Sequence, residues 1–428
     1  MAIYAHIVGW GKYTPEKVVT NNEIAQWMDT SDDWIRARTG IVERRFAGPH
    51  ETTASMAIEA AKRALDRAGI APAAVDLIIV TTLSPEYIFP ATACLVQDAI
   101  GATHAGAFDL SAACSGFVYG LSMAAAMIRS GAIKMALVIG SDTVSRFLDE
   151  QDRTTYPLFG DGAGALVLQG SETPGGVLST VLGADGSGAE YLVIPAGGSR
   201  NPTSQKTLDN REHYIKMNGR EVYRFATRVL SRAARQACSR AGVDLKDVAL
   251  FIPHQANIRI IESARQDLKI GEDKVFTNLD KYGNTSTASI PIALCEAIEQ
   301  DRVNINDKLV MVGFGGGLTW GATVVQWGVP IAPQRREWWY SSLRWLLYRW
   351  ANIRSLALRL WWRIENLFPI KNGHNQPQPI EKPKIMDNLH GHNGIKPQPA
   401  KTDTPAPPVN PPADHEPETE AEQISLHK

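Results

Sequence analysis

Short apolar runs alternate with alanine-rich segments along residues 1–330 of the chain. Five runs predict buried strands, namely VDLIIVTTL, MALVIGSD, GALVLQG, VALFIPH and KLVMVGFG. Two longer segments, TTASMAIEAAKRALDRAG and REVYRFATRVLSRAARQACSRAG, predict amphipathic helices. A strand that is apolar throughout must be covered on both faces. The alternation therefore predicts an α/β body in which helices cover parallel strands.

This pattern occurs twice in the body. The segment DRAGIAPAAVDLIIV begins at Asp66, and SRAGVDLKDVALFIP begins at Ser239, which is an offset of 173 residues. The same offset relates LVIG in one predicted strand to VMVG in a later one. An ungapped offset that links separate places predicts two similar halves. We place them at residues 1–173 and 174–330, with the ends of equivalent strands facing a shared cleft.

A cysteine stands where an apolar strand gives way to small residues. Cys114 lies in FDLSAACSGF, and the repeat relates it to Thr287 in the second half. Free cysteine is often an inert, buried packing residue, and that interpretation stays open. A cysteine at a helix N-terminus can instead act as a nucleophile, because the helix dipole favours its thiolate.

Two polar residues of the second half are candidates for the same cleft. His254 ends the strand in LFIPHQANIRI and is related by the repeat to Thr81, at the end of an equivalent strand. Asn284, in KYGNTSTAS, occupies the place of Ser111, three residues before Cys114. A core histidine and a turn asparagine are the ordinary alternatives. Their positions in the repeat favour hydrogen-bond donors that face an enolate.

A run of glycines follows the last predicted strand. The segment GFGGGLTWGA lacks the Gly-Lys-Ser/Thr of a phosphate loop and does not open a helix as G-x-G-x-x-G does. Glycines can instead bring backbone N–H groups close to a developing oxyanion.

The composition narrows the function classes. The 428 residues carry a formal net charge of −1, which gives no sign of a nucleic-acid partner. The four cysteines form no C-x-x-C pair, so we predict neither a disulfide framework nor a metal site. The same cysteine content predicts a reducing, cytoplasmic location. No apolar stretch reaches about 18 residues and no signal peptide is evident, so we expect no spanning helix.

The pattern changes after residue 330. Residues 331–368 contain seven arginines, two glutamates and six of the eleven tryptophans. Apolar residues recur there at helical spacing: Leu343, Leu346, Trp350, Ile353, Ala357, Leu360, Ile364 and Leu367. Such a helix packs on the body, pairs with its own copy, or lies in an anionic membrane surface through residues 335–368. Residues 369–428 hold twelve prolines and no aromatic residue, so we predict that they are disordered.

Several segments resemble one known family. The segments SAACSGF, PHQANIRI, DKYGNTSTASIP and GFGGGLTWG are similar to four signatures of 3-oxoacyl-[acyl-carrier-protein] synthase III, within the thiolase superfamily. TSDDWIRARTGIVERR and FGDGAGALVL are also typical, and the resemblance spans residues 1–328. It implies a thiolase-like αβαβα five-layered sandwich of two duplicated halves, a homodimer, and a reaction that needs no cofactor or metal.

The resemblance also implies a reaction. Cys114 takes an acyl group from acyl-CoA, and malonyl-acyl-carrier protein then loses carbon dioxide and attacks the acyl-enzyme. His254 and Asn284 stabilise the enolate, while the backbone N–H groups of Cys114 and Gly316 hold the oxyanion. Elongating synthases carry two histidines, whereas chain initiators carry His and Asn, as this chain does.

Further residues correspond to binding positions of the family. Trp34 and Arg38 match contacts to the CoA adenine, and Arg153 matches another nucleotide contact. Arg259 matches a basic residue that meets the carrier protein, but RQD replaces the lysine pair expected just downstream. Phe89 matches the residue that crosses the dimer to close the acyl pocket, which favours a short primer such as acetyl.

Two other functions remain open at this stage. One is a synthase of a polyketide or specialised lipid pathway with a different primer. The other is a membrane-bound scaffold without catalysis, although the complete set of Cys114, His254, Asn284 and glycine loop favours an active enzyme.

Overall fold

The computed structural model describes residues 2–328 and eight residues of a later helix, at positions 348, 350, 353, 354, 357, 358, 360 and 361. Its strands are β1 (Tyr4–Tyr13), β2 (Val18–Thr20), β3 (Glu43–Arg45), β4 (Leu77–Thr81), β5 (Gly106–Leu110), β6 (Met135–Asp142), β7 (Gly162–Ser171), β8 (Gly176–Ala184), β9 (Leu192–Val193), β10 (Lys216–Met217), β11 (Leu250–Pro253), β12 (Lys308–Gly315) and β13 (Thr319–Gln326). Its helices are α1 (Asn21–Ile24), α2 (Asp32–Thr39), α3 (Thr53–Ala68), α4 (Thr92–Ile100), α5 (Gly116–Arg129), α6 (Gln205–Asp209), α7 (Gly219–Ala241), α8 (Ile258–Leu268), α9 (Leu279–Tyr282) and α10 (Ser289–Glu299). The predicted disordered tail and most of the predicted C-terminal helix lie outside the described residues.

Two larger sheets form the body. The first has the strand order β1-β7-β6-β4-β5 and the second has the order β11-β12-β13-β8. The expected parallel pairing is correct for β4 with β5 and β6, and for β11 with β12. It is wrong for the other pairs, which are antiparallel. A connection as short as that between Gly315 and Thr319 can only reverse the chain, so β13 runs opposite to β12.

Helices separate and cover the two sheets. Phe117 and Leu121 of α5 and Ile290 and Leu294 of α10 share one buried cluster with strand residues of both sheets. Helices α3 and α4 cover the outer face of the first sheet, and α7 and α8 cover that of the second. Each fully buried side chain of this size stabilises the fold by about 1.5–3 kcal/mol. The order of layers is αβαβα, which confirms the predicted sandwich of two similar halves.

The 173-residue offset seen in the sequence relates elements of the two sheets. It carries the start of β6 at Met135 onto the start of β12 at Lys308. It also carries the first residue of α5, Gly116, onto the first residue of α10, Ser289. Helices α5 and α10 are therefore equivalent. Residues of both helices belong to the buried cluster between the sheets, and their N-termini are close, because a Cβ atom at Gly116 would lie 3.2 Å from the hydroxyl of Thr287.

Candidate active site

Cys114 lies in a sharp turn between β5 and α5. A single turn of 3-10 helix spans Ala113–Ser115, and Ala113 adopts a left-handed conformation with φ of 47°. The end of β12 packs directly against this turn. A Cβ atom at Gly315 would lie 2.6 Å from the backbone nitrogen of Cys114. The glycine run therefore allows the backbone of β12 to approach the cysteine.

The second half contributes an equivalent turn at Ser286–Ala288, just before α10. Ser286 is also left-handed, with φ of 51°, and the repeat relates it to Ala113. The two turns contact each other, because the Ser286 hydroxyl donates a hydrogen bond to the Cys114 sulfur over 3.4 Å. The hydroxyls of Thr81 and Thr287 share a further hydrogen bond of 2.8 Å. The duplicated fold thus brings the second turn to the cysteine of the first.

His254 follows the last residue of β11. Its backbone N–H donates to the carbonyl of Val312 over 2.8 Å, which continues the pairing with β12. Its Nδ1 lies 2.6 Å from the hydroxyl of Ser289, and its ring packs edge-on against Phe314 at 5.3 Å between centroids. Burial lowers the pKa of His254 to about 3. The imidazole is therefore neutral near pH 7 and keeps one N–H with which to donate.

Asn284 is held through its backbone and its side chain. The backbone N–H donates to Leu158 over 2.8 Å, and the backbone carbonyl accepts from Gly160 over 3.0 Å. The side-chain Oδ1 accepts from the N–H of Ser286 over 2.9 Å. Since the amide oxygen is engaged in this turn, the Nδ2 group is the part of the side chain that can donate to a ligand.

The three predicted catalytic residues line one cavity. Cys114, His254 and Asn284 face a cavity of about 90 Å³, together with Phe314 and Gly315. Its other walls are mostly apolar: Leu158, Phe159, Leu192, Met217, Gly219, Val222, Tyr223, Ala256, Asn257 and Ile260. A small apolar cavity with a few polar groups is suited to a short acyl chain next to a reacting thioester.

Burial dominates the electrostatics of Cys114. The residue is only 3% exposed, and burial raises the pKa of its thiol to about 12, although the Ser286 hydroxyl acts in the opposite direction. The expected preference for a thiolate at the helix N-terminus is therefore outweighed in the free protein. With the imidazole of His254 also neutral, the resting pair is a thiol beside an imidazole rather than an ion pair.

A buried carboxylate supports the second turn. One oxygen of Asp142 accepts hydrogen bonds from the hydroxyls of Thr82 and Ser84, each at 2.8 Å. The other oxygen accepts from the N–H of Thr287 over 3.2 Å. Burial raises the pKa of Asp142, while hydrogen bonds from the surrounding residues, Ser286 among them, oppose that effect. Asp142 therefore joins the end of β6 to the turn that contacts Cys114.

Asp142, Ser286 and Ser289 were not among the residues selected from the sequence. Asp142 ends the apolar run MALVIGSD, where a charge directly after a buried strand was a usable signal. Ser286 and Ser289 lie within NTSTAS, next to Asn284. Their hydroxyls carry no periodic pattern, so only the fold shows which atoms they reach.

The three residues expected to bind the nucleotide lie together. The guanidinium groups of Arg38 and Arg153 lie 4.8 Å and 5.3 Å from the ring centroid of Trp34. Arg153 also forms an ion pair with the exposed Asp29 at 2.9 Å. The backbone carbonyl of Arg38 accepts from Asn257, which lines the cavity of Cys114. An aromatic ring with two guanidinium groups next to it combines a stacking surface with positive charge, which suits an aromatic ligand that carries anionic groups.

Arg259 lies on the rim of the same cavity. It is exposed, and its guanidinium lies 5.6 Å from the ring centroid of Tyr223, a lining residue. At the missing lysine pair, Asp267 instead forms an ion pair with Arg235 of α7 at 3.4 Å. Phe89 is 84% exposed and does not line the cavity within this chain.

The described residues contain no group of three or more His, Cys, Asp or Glu side chains placed to hold a metal ion. All four cysteines are free. In the same part of the chain, no helix combines the length and apolar character needed to cross a bilayer.

Comparisons with known proteins place the chain in a family. The model of the 3-oxoacyl-[acyl-carrier-protein (ACP)] synthase III family matches residues 108–186, and the model of its C-terminal part matches residues 238–327. A β-ketoacyl-[acyl-carrier-protein] synthase III of Roseiflexus castenholzii is 50% identical over 327 residues, which are 76% of this chain and 99% of that relative. The relative from Caldanaerobacter subterraneus is 49% identical over 325 residues, 76% of this chain and 98% of its own.

Solved structures agree with this relationship. The crystal structure of 3-oxoacyl-[acyl-carrier-protein] synthase III from Aquifex aeolicus matches with a TM-score of 0.70 and 46% identity, over 76% of this chain and 100% of its own. The priming β-ketosynthase of the R1128 polyketide pathway matches with a TM-score of 0.72 and 35% identity, over 77% of this chain and 98% of its own. This chain therefore belongs to the 3-oxoacyl-[acyl-carrier-protein] synthase III family and is an acyltransferase, the initiating condensing enzyme of fatty acid synthesis.

Proposed function

We propose that this chain joins an acyl group from acyl-CoA, most simply acetyl, to the two-carbon unit of malonyl-acyl-carrier protein. The products are 3-oxoacyl-acyl-carrier protein, carbon dioxide and CoA. The observation that carries this proposal is the shared cavity of Cys114, His254 and Asn284. A thiol, a neutral imidazole and an amide N–H₂ are the groups that thioester exchange and enolate formation require.

In the first step, the sulfur of Cys114 attacks the thioester carbon of acyl-CoA. A new carbon–sulfur bond forms, the bond to the CoA sulfur breaks, and the thiol proton leaves with CoA. The backbone N–H groups of Cys114 and Gly316 donate to the oxyanion of the tetrahedral intermediate. The hydrogen bond from Ser286 stabilises the charge that develops on the Cys114 sulfur as its proton is lost.

In the second step, malonyl-acyl-carrier protein occupies the emptied site. His254 and Asn284 donate hydrogen bonds to its thioester oxygen while the bond to the carboxylate breaks and carbon dioxide leaves. The resulting enolate carbon attacks the acyl thioester on Cys114, and the cysteine sulfur is released. The low pKa of His254 suits this role, because a neutral imidazole donates a hydrogen bond without giving up its proton.

The substrates reach the site from the surface that carries Trp34 and Arg259. Trp34, Arg38 and Arg153 bind the CoA nucleotide, supported by the cation–π contacts of both arginines. Arg259, exposed at the rim of the cavity, meets the acidic surface of the carrier protein. No resident cofactor takes part in these steps.

The active form is a homodimer. Strand β5 is the edge of the first sheet, and Phe89 lies 84% exposed in the segment between β4 and α4. An unpaired edge and an exposed phenylalanine favour pairing with a second copy. Phe89 then closes the acyl pocket of the partner and limits it to short primers. Light scattering of the purified protein gives the mass that tests this assembly.

The remaining proposals concern organisation and location. The two halves divide at residue 173, between β7 and β8, and the protein works in the cytoplasm. Residues 335–368 make a peripheral membrane contact, supported by the excess of arginine over glutamate in this segment.

Mass spectrometry tests the chemistry directly. The protein is incubated with acetyl-CoA and with longer and branched acyl-CoAs, and peptides are examined for an acyl adduct. We expect an adduct on Cys114 and none on the exposed Cys94, which is the internal control. Cys114→Ala should show no adduct and no condensation with malonyl-acyl-carrier protein.

The same set of acyl-CoAs also distinguishes the two alternative functions, a synthase of a specialised pathway and a scaffold without catalysis. A strong preference for a long or unusual acyl group would indicate a specialised pathway in place of primary synthesis. Absence of an adduct with every acyl-CoA would leave a scaffold without catalysis.

A further inference from the structure

Tyr348, in the helix after the catalytic body, contacts that body. The hydroxyl of Tyr348 donates to the carboxylate of Asp66 over 3.3 Å. The ammonium of Lys62 lies 5.5 Å from the Tyr348 ring centroid, and the ring packs against the core cluster under α3. Helix α3 therefore provides the docking site for this part of the chain.

The exposed apolar residues of this helix lie on a different side of it from Tyr348. At 3.6 residues per turn, Ile353, Ala357 and Leu360 lie roughly 120–180° around the helix from Tyr348. Ile353 is 57% exposed and Leu360 is 50% exposed, and Ala357 is exposed as well. Packing on the body, one of the alternatives drawn from the sequence, therefore does not account for the exposed Ile353, Ala357 and Leu360.

Two tryptophans border the stripe. Trp350 is 65% exposed and Trp361 is 55% exposed. Trp350 also lies at the edge of a cavity of about 210 Å³ between the helix and the body, together with Arg354. A surface that combines large apolar side chains with indole rings is unusual on a water-facing helix. We call Ile353, Ala357, Leu360 and Trp361 the outer face.

The segment that carries the outer face has an excess of positive charge. Residues 331–368 contain seven arginines, two glutamates and no lysine or aspartate, whereas the whole chain is close to neutral. Arg354 is exposed beside the outer face. An exposed apolar stripe with indole rings and an excess of arginine is the combination that binds the interface of an anionic membrane. A second copy of the same helix would bring the arginine excess of both copies together, so the charge favours lipid.

We propose that the outer face inserts into the surface of a membrane rich in anionic phospholipid, while Tyr348 keeps the helix attached to α3. This gives the membrane contact proposed for residues 335–368 a defined face and a lipid chemistry. The contact is separate from the condensation reaction, because none of the outer-face residues lines the cavity of Cys114. The enzyme is thereby held beside the membrane.

Vesicle sedimentation of the full-length chain tests the proposal. The test variant is Ile353→Glu with Leu360→Glu. The matched control is Ile305→Glu with Leu208→Glu, which places the same charges at apolar side chains 67% and 42% exposed on the body. The vesicles contain phosphatidylcholine with phosphatidylglycerol at about three to one, or phosphatidylcholine alone.

We expect wild type and the matched control to sediment with the anionic vesicles and to bind phosphatidylcholine much more weakly. The test variant should lose at least tenfold in partitioning and keep the wild-type condensation rate. Raising the salt concentration should weaken wild-type binding without abolishing it, because the apolar contribution is not screened. Normal condensation by a protein that binds no vesicle would overturn the membrane contact alone.

Two other results would also overturn it. Equal vesicle binding by wild type and the test variant would show that the outer face is not the contact. In the second case, wild type does not bind vesicles but forms a larger oligomer than the test variant. This result would assign the outer face to contact with a second copy of this chain.

Discussion

The hydroxyl of Ser286 donates a hydrogen bond to the sulfur of Cys114 over 3.4 Å, although the two residues are 172 positions apart. Each lies in or next to a left-handed turn, and these turns are equivalent in the two halves. The second half therefore reaches the nucleophile through a copy of the nucleophile's own turn. This contact opposes the effect of burial on the thiol pKa.

Ser286→Ala should slow acylation of Cys114. Alanine is compatible with the backbone, because Ala113 occupies the equivalent turn with nearly the same φ. Loss of one hydrogen bond worth about 1 kcal/mol predicts a rate of acyl transfer lower by roughly fivefold. The pKa of the thiol, read from the pH dependence of alkylation by iodoacetamide, should rise further above its ordinary value. An unchanged alkylation profile would show that Ser286 does not act on the sulfur.

His254→Ala and Asn284→Asp should chiefly slow decarboxylation. Asparagine to aspartate keeps the acceptor that holds the N–H of Ser286, and it replaces the Nδ2 donor with a negatively charged acceptor that repels the enolate. Loss of one such donor typically costs two to three powers of ten in rate. Release of carbon dioxide from labelled malonyl-acyl-carrier protein measures this step, and the acyl adduct on Cys114 should still form. Decarboxylation at the wild-type rate by either variant would contradict its role.

Ser289→Ala should weaken the donor function of His254. The Ser289 hydroxyl lies 2.6 Å from Nδ1, and donation to that atom leaves the imidazole proton on Nε2. We expect decarboxylation to slow by about three- to tenfold and its pH profile to shift, with acylation unchanged. Ser289→Thr retains the hydroxyl and should recover most of the rate. If threonine and alanine behave alike, the hydroxyl does not position the imidazole.

His254 should make the fold sensitive to acid. Its pKa is about 3 in the folded protein against an ordinary value of 6.5, so the unfolded chain binds more protons between these values. Stability is therefore lost as the pH falls from about 6.5 towards 3. His254→Gln lacks this dependence. Between pH 7.5 and pH 5, the free energy of unfolding of wild type should therefore fall by about 2 kcal/mol more than that of His254→Gln. Urea unfolding at both pH values measures the difference.

The comparison with wild type is needed because other groups act in the opposite direction. Burial raises the pKa of Asp161 to about 6, so this carboxyl favours the folded state as the pH falls. Asp161 is present in both wild type and His254→Gln, so its contribution cancels in the difference between their free energies of unfolding. A constant gap between the two proteins across this pH range would mean that His254 has the same pKa in the folded and the unfolded state.

Removal of the C-terminal segment should leave the chemistry intact. A chain that ends after Pro333 retains the part that aligns with full-length relatives, since 327 residues of this chain cover 99% of one of them. We expect its condensation rate to equal that of the complete chain, in an assay with acetyl-CoA and malonyl-acyl-carrier protein. A large loss of rate in a protein that still folds would instead assign these residues to catalysis.

The sequence by itself determined most of the body. Strands β6 and β12 coincide with MALVIGSD and KLVMVGFG, because a short, unbroken apolar run is typical of a strand that is covered on both faces. The 173-residue repeat identified equivalent turns, and so placed Cys114 and Asn284 near each other before any coordinates. The small residues around Cys114 indicated that another part of the backbone approaches it closely, and in the structure this part is Gly315.

Only the tertiary structure decided which elements and atoms meet. Apolar runs show that a strand is covered but carry no information on the direction of its neighbour, and most of the pairs are antiparallel. The hydrogen bonds of Ser286 with Cys114 and of Ser289 with His254 each depend on a single hydroxyl at short range. The sequence alone does not show which atom such a hydroxyl contacts. Helical spacing likewise predicted an apolar stripe after residue 340. Only the structure shows that Ile353, Ala357 and Leu360 of this stripe are exposed and that Tyr348, on a different side of the helix, makes the contact with α3.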